Sequence, residues 1–366
     1  MAHPTILVTG ATGKTGAAVT SQLLTKGWPV RAVVRRRDER SVVLEKAGAE
    51  IVVADPTDPD QMLDAMRGTR RAYHLPPFDP FMLQGAAAFA AAAREAKLES
   101  VVGLSQWLAS PSHPALATRQ LWLVDGLFAA LPGIGHTVVN PGFFADNYLR
   151  LIGFAAHLGT LPSLTGDSRN APPSTEDIAR VAVAALIDPD RHAGRHYRPT
   201  GPTLLSTADM AVILARVLKR RVRAIEMPMW LFLKAARMQG VPAFELSGFR
   251  YWVRDHKQGA FEFGGVNDDI LCVTGVPPED FETIARRYAA LPEARRSIGA
   301  SLTAFGNFMR APMSPGYDLD RFDREHGFPI PRQPRPAMED ERWRAARTVQ
   351  IEGDRLAGCG RKELVA

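Results

Sequence analysis

At 366 residues, with 46% hydrophobic and 23% charged side chains, the chain has the make-up of a globular protein holding one large domain or two unequal ones. Its net charge of +6 comes from scattered basic residues with no basic, aromatic-interleaved stripe, which argues against a nucleic-acid partner. Two distant cysteines, Cys272 and Cys359, point to a reducing cytoplasm rather than a disulfide framework; a strand at the very start leaves no signal peptide; and the longest bland run, residues 85–94, is too short to span a membrane.

An apolar, β-branched run from Thr5 leads into Gly10, Gly13 and Gly16, spaced G-x-x-G-x-x-G, and residues 17–27 follow with helical spacing. Strand, glycine turn and helix is the context of a dinucleotide-binding fingerprint. Gly10 permits the tight turn, Gly13 lets phosphates reach the backbone, and Gly16 lets the helix pack closely on the sheet. Thr12, Lys14 and Thr15 belong to the same turn and are assigned to the cofactor with it. A P-loop would need glycine five residues before Gly13, where Val8 stands.

Strand-like runs recur at residues 28–34, 50–54, 71–75, 100–105 and 135–140, with helical segments near 15–27, 39–48, 58–67, 80–97 and 115–130. This alternation predicts an α/β fold: a doubly wound, parallel Rossmann sheet over residues 1–150. From residue 151 to about 290 the alternation weakens. A helix over 174–186 is capped by Ser174 or Thr175, a short strand is expected near His196, and Ser206 caps a helix running to Leu218. Residues 151–290 read as a smaller substrate-covering lobe interleaved with the first domain, and their aromatic- and methionine-rich stretch 226–275 either covers substrate or packs as ordinary core. Residues 291–366 form a C-terminal extension in which prolines gather after about residue 310; it reads as an extended arm lying on its own body or on a partner subunit, or as a disordered tail, and removal of residues 310–366 is expected to leave cofactor binding intact.

In such folds the second strand ends beside the adenosine ribose, where an acid suits NAD and an arginine suits the 2′-phosphate of NADP. Here it ends in Arg35, Arg36 and Arg37, which favours NADP(H) with Arg35 on the phosphate. Asp55, after the third strand, is a candidate for the adenine amino group or, alternatively, a turn residue before Pro56.

The motifs around residues 9–16, 30–35, 53–55, 101–105, 136–144 with Asn147, and 176–179 together resemble the NmrA-like branch of the atypical short-chain dehydrogenase/reductase superfamily. The resemblance covers roughly residues 4–220. It implies an NADP(H)-binding Rossmann domain with a small lobe closing over the nicotinamide. His74, Leu75 and Pro76 would line the cofactor, and Pro141, Phe143 and Phe144 would flank the nicotinamide and substrate. Many members carry arginine where this chain has Asn140.

Typical superfamily members transfer a proton through a Y-x-x-x-K pair, and no tyrosine here has a lysine four residues on. Ser105 stands at the family serine position, as both cofactor contact and catalytic candidate. Further candidate acids are His113, in the loop after the fifth strand, and Tyr148, from the lobe side. Asp125 reads as a hydrogen-bond partner at the sheet end, and Asp146 as a turn residue. His192 and His196 lack the acid that would complete a metal set, so no metal is expected. Two readings remain open: an NADPH-dependent reductase of a small apolar quinone, enone or carbonyl, or a non-catalytic NADP(H) sensor acting through protein partners. No membrane association is expected, and a homodimer is left open.

Overall fold

A computed structural model describes residues 3–295 and 297–356, apart from the side chains of 354–356. The first half alternates as its periodicity predicts: β1 (Thr5–Val8), α1 (Lys14–Thr25), β2 (Val30–Val34), α2 (Glu39–Lys46), β3 (Glu50–Val53), α3 (Pro59–Met66), β4 (Thr69–His74), α4 (Met82–Glu95), β5 (Ser100–Leu104), α5 (Leu116–Ala129) and β6 (Gly135–Val139). The chain then leaves the sheet through α6 (Ala145–Leu149), α7 (Ile152–Leu158) and β7 (Thr160–Ser163). It returns through α8 (Thr175–Ile187), α9 (Pro189–His192) and β8 (His196–Tyr197). The two residues of β8 pair with β6 and complete a seven-stranded parallel sheet, ordered β3-β2-β1-β4-β5-β6-β8. The order reverses between β1 and β4, which opens a crevice at their carboxyl ends.

Both faces of the sheet are covered, so its central strands are continuous apolar runs. On one face Ile6 and Val8 pack with Val19 and Leu23 of α1 and Ile178 and Val181 of α8. On the other, Leu7 and Val101 pack with Met62 of α3, Phe89 of α4 and Phe128 of α5. Several helices start at side-chain caps: Asp38 for α2, Asp58 for α3 and Ser174 for α8. By contrast α1 has no side-chain cap and no acid in its first turn, so its leading N–H groups have no partner from a capping side chain.

The lobe adds α10 (Thr207–Val217), β9 (Arg223–Glu226), α11 (Met229–Met238), α12 (Ala243–Lys257), α13 (Asp269–Thr274) and α14 (Phe281–Ala289). Strands β7 and β9 form a separate two-stranded parallel sheet. Cys272, in α13, is not a free thiol, against the expectation of reduced cysteines; Cys359 lies outside the described residues.

The C-terminal extension lies on the body of its own chain, one of its two expected placements, but it is helical rather than extended, forming α15 (Ile298–Arg310), α16 (Leu319–Glu325) and α17 (Glu341–Leu356). Trp343 is 2% exposed and stacks edge-to-face on Trp107, with ring centroids 5.8 Å apart. Trp343 Nε1 donates to the Trp107 carbonyl at 2.8 Å, Arg347 Nε donates to the same oxygen at 3.0 Å, and Arg335 N donates to Ser112 O at 2.9 Å. Ser110 and Ser112 both donate to Asp340. The extension therefore clamps the loop between β5 and α5. Period-counting missed this because the prolines hid a buried tryptophan two residues into a 16-residue helix. Trp343→Ala should cost about 3–5 kcal/mol in urea unfolding; a loss under about 1 kcal/mol would mean the extension is not part of the core.

Candidate functional site

A cavity of about 630 Å³ opens at the carboxyl ends of β1, β2 and β4. Its floor is the turn from β1 to α1. Gly10 has φ +59°, and a Cβ there would lie 2.8 Å from the Leu75 side chain. A Cβ on Gly13 would stand 3.1 Å from the Gly10 carbonyl, and one on Gly16 would collide with that carbonyl. Thr9 Oγ1 accepts from Leu75 N at 2.9 Å and pins the following loop over the turn. The glycine cradle and the uncapped start of α1 fit a pyrophosphate, because they offer backbone N–H groups and the positive end of a helix.

Arginines gather at the other end of this cavity. Arg35 and Arg36 line it, and so does Arg40, which the spacing argument did not single out. Arg40 lies in the first turn of α2, and its Nη2 donates to Asp38 at 2.6 Å. Asp38 is the acid that could have favoured a ribose hydroxyl. Both its oxygens are already engaged, Oδ1 by Ser41 N and Oδ2 by Arg40. Arg37 turns away to Glu45 at 3.0 Å. Three guanidinium groups and a neutralised acid suit a phosphate better than a hydroxyl.

Four expected cofactor residues stand elsewhere. Lys14 reaches out of the turn to Asp146 at 2.9 Å, tying the cradle to the lobe. Asp146 is thus an ion-pair partner rather than a mere turn residue; burial pushes its carboxyl up, but bonds from Tyr288 and Lys14 outweigh this and hold it low. Thr15 and Gly16 are buried behind the turn, where they pack α1. Asp55 Oδ1 accepts from Thr57 N at 2.8 Å and from Thr57 Oγ1 at 2.7 Å, so it closes its own turn. Its neighbours Ala54 and Pro56 line the cavity instead. Thr12, His74, Leu75 and Pro76 line it as the resemblance implied. His74 packs edge-on against Phe89 and Phe128, and burial drives its pKa down to about 3, so it is neutral.

A second cavity of about 390 Å³ adjoins the first and shares Leu75, Pro76 and Phe78 with it. Its walls are aromatic: Phe143 and Phe144 after β6, Phe232 of α11, and Phe249 and Trp252 of α12. The Met- and aromatic-rich stretch is therefore partly cavity wall and partly core, since Phe244 packs with Met82 and Leu121. Pro141, Phe143 and Phe144 line this second cavity, as does Ser105.

The three candidate acids separate cleanly. His113 is fully buried and lines neither cavity. Its Nδ1 accepts from Ala115 N at 3.0 Å, so Nε2 carries the proton and donates to Asp255 at 2.8 Å. Asp255 in turn accepts from Ala337 N at 2.7 Å, which makes His113 a structural tie to the extension and not an acid at the site. Tyr148 lines the second cavity, but its hydroxyl lies 2.7 Å from His256 Nε2. Ser168 Oγ donates to the Thr165 carbonyl, so it accepts from His256 Nδ1, leaving Nε2 to accept the tyrosine proton. Burial lowers His256 to about 4 and raises Tyr148, so that proton is held firmly. Ser105 is the third. Its Oγ lies 2.6 Å from Asp125 Oδ2, and burial pushes the Asp125 carboxyl up to about 7 against the pull of Ser105 and Arg347. Asn140 pairs with Gln350 of α17 at 3.1 Å, so the extension fills the position where relatives were expected to carry arginine.

The model of the NmrA-like family matches residues 2–106. An NAD(P)H azoreductase of Xenophilus azovorans is 29% identical over 288 residues, which is 78% of this chain and 98% of that protein. A (4-alkanoyl-5-oxo-2,5-dihydrofuran-3-yl)methyl phosphate reductase of Streptomyces griseus is 33% identical over 225 residues, 61% of this chain and 77% of that protein. Among solved structures, an NADPH-dependent quinone oxidoreductase of Escherichia coli complexed with NADPH has the same fold, with a TM-score of 0.67 at 20% identity over 77% of this chain and 99% of that one. No helix among the described residues is long and apolar enough to cross a membrane.

The raised Asp125 has a measurable sign. With a folded pKa of about 7 against an ordinary 3.8, the folded state holds the extra proton between those values. Stability should therefore fall as pH rises from about 4 to 7, by at most about 1.4 kcal/mol per unit. Asp125→Asn should remove that slope in urea unfolding at stepped pH; an unchanged slope would assign it to other groups.

Proposed function

The chain belongs to the NmrA-like family, and from that premise we propose that it is an NADPH-dependent reductase of a small apolar quinone, enone or carbonyl compound. The observation that carries this reading is the open aromatic cavity sharing a wall with the glycine-turn cavity. A protein that only sensed the dinucleotide would have no use for a second, apolar chamber beside it. The relatives named as an azoreductase and a furanyl phosphate reductase support electron transfer to conjugated acceptors.

In this reading Gly10 and Gly13 hold the pyrophosphate at the start of α1, and Arg35, Arg36 and Arg40 hold the 2′-phosphate. The bound dinucleotide supplies hydride. Leu75, Pro76 and Phe78 stand between the two chambers, so the acceptor and the nicotinamide ring meet along that wall. The aromatic lining excludes water and orients a flat acceptor by stacking. Ser105 offers the acceptor oxygen a polar contact at the sheet end.

Two measurements test this. Purified protein should oxidise NADPH in the presence of quinones or enones, and NADH much more slowly; tight NADPH binding with no turnover of any acceptor would favour the sensor. Arg35→Ala and Arg40→Ala should each weaken NADPH binding about 10- to 100-fold, the worth of one charge-assisted hydrogen bond. Binding of NADH should change little; equal losses for both dinucleotides would refute the 2′-phosphate assignment.

A further inference from the structure

The missing Y-x-x-x-K pair leaves a chemical gap. Hydride addition to a quinone or carbonyl puts an electron pair on the acceptor oxygen, and that oxygen then needs a proton. His113 is sealed away from both cavities, and the Tyr148 proton is committed to His256. Ser105 remains, with a carboxyl behind it at 2.6 Å.

We propose that Asp125 and Ser105 form a two-step proton line into the aromatic cavity, with Ser105 as the catalytic residue touching the acceptor and Asp125 as the positioning residue that supplies its proton. The inference rests on the reductase reading. Its geometry comes from two adjacent elements. Ser105 follows β5 directly, is 5% exposed, lines the cavity and is fixed by its own N–H donating to the Val139 carbonyl at 2.8 Å. Asp125 stands on α5, the helix that follows the loop after Ser105.

The direction of the bond between them depends on the proton. With Asp125 ionised, Ser105 O–H donates to the carboxylate and shows the cavity only lone pairs. With Asp125 protonated, the carboxyl donates to Ser105 Oγ, and the serine proton is free to point at an acceptor. Desolvation holds Asp125 near pH 7, which is where a general acid works best. The charged group facing it is Arg347 of α17. Arg347 makes its hydrogen bonds to the carbonyls of Trp107 and Ala109 and to Gln350, so it favours the later carboxylate without forming a tight pair that would suppress the acid. Behind Arg347 stand the Arg198 guanidinium and His196, whose pKa is lowered by burial and by Arg347.

The step balances. Hydride from the reduced dinucleotide forms a new bond on the acceptor, and the electron pair moves to the acceptor oxygen. The Ser105 O–H bond breaks as the product O–H forms. The Asp125 O–H bond breaks as the serine O–H is restored. Asp125 is left as a carboxylate and is reprotonated from water.

Two acceptors separate proton supply from hydride transfer. A cationic triarylmethane dye takes hydride alone and becomes neutral, whereas a benzoquinone takes hydride and a proton. Asp125→Asn keeps a donor toward Ser105 but cannot release a proton. It should lose about 100-fold or more in kcat on benzoquinone, the usual share of general acid catalysis. Its dye reduction should stay within about threefold, and the fall in quinone kcat above pH 7 expected of the natural chain should vanish. Ser105→Ala should lose quinone turnover to at least the same extent. Infrared titration without dinucleotide gives a readout independent of turnover: a protonated carboxyl band should persist to about pH 7 and be missing in Asp125→Asn. Equal losses on both acceptors, a wild-type quinone rate in Asp125→Asn, or no such band in the natural chain would each overturn the proposal. Failure of the natural chain to reduce either acceptor would instead remove the reductase reading itself, and this proposal with it.

Discussion

The carbonyl of Trp107 accepts from both Trp343 and Arg347, and those two bonds hold the loop on which the carboxyl end of the sheet depends. The indole of Trp107 lies under the Arg198 guanidinium at 3.9 Å and near that of Arg347 at 5.0 Å, and its Nε1 donates to the Ala260 carbonyl at 2.9 Å. One ring thus joins β5, β8, the segment after α12 and the last helix. Stacking and desolvated cation–π contact give these bonds a fixed plane as well as energy. Ser105 is two residues upstream, held by Val139 and Asp125, so the clamp fixes the chain directly after it. About a fifth of the chain has no counterpart in the azoreductase relative, and the extension shows what added chain can do: it stiffens the loop beside the acceptor chamber.

The cofactor end obeys a different constraint, the close approach of backbone to backbone. Gly16 packs where any Cβ would strike the Gly10 carbonyl, so the turn is specified by absence of side chain. The arginine end is specified by charge arithmetic instead. Asp38 both caps α2 and pairs with Arg40, while Arg35 has only a long 3.9 Å approach to Asp79. The wider cleft is also joined to the lobe by an exposed-to-buried ion pair, Lys14 to Asp146.

Local rules made the first 140 residues legible. A period-2 or continuous apolar run, a turn, and an amphipathic helix are all contained within a few residues, and β1 to β6 follow from them. Caps were readable for the same reason, as with Ser174 and Ser206. Residues whose role depends on distant partners were not. Asp125 looks like any helix acid until Ser105 and Arg347 are brought to it. His256 has no motif of its own, and its meaning comes from Tyr148, more than a hundred residues earlier. His113 looked catalytic by position and proved structural because Asp255 lies across from it. Asp55 failed in the opposite sense, since the turn it closes is entirely local. The helices of the extension were hidden because proline content outweighed the sparse apolar positions of α17, of which Trp343 and Ile351 pack at the cluster around Trp107.

The clamp also orders events in the life of the chain. Trp107 and Trp343 are separated by 236 residues, so a ribosome working at about 5–20 residues per second makes the second roughly 10 to 50 s after the first. The strands and helices of the dinucleotide half are all made within that interval and can settle during it. Ser105 has Val139 and Asp125 by then, but the Trp107 carbonyl still lacks Trp343 and Arg347. A nascent chain therefore passes through a stage with a formed phosphate cradle and an unfinished acceptor chamber, its indole exposed. Chains cut short before α17 would stop at that stage, carrying a sticky surface that marks them for chaperones or proteases.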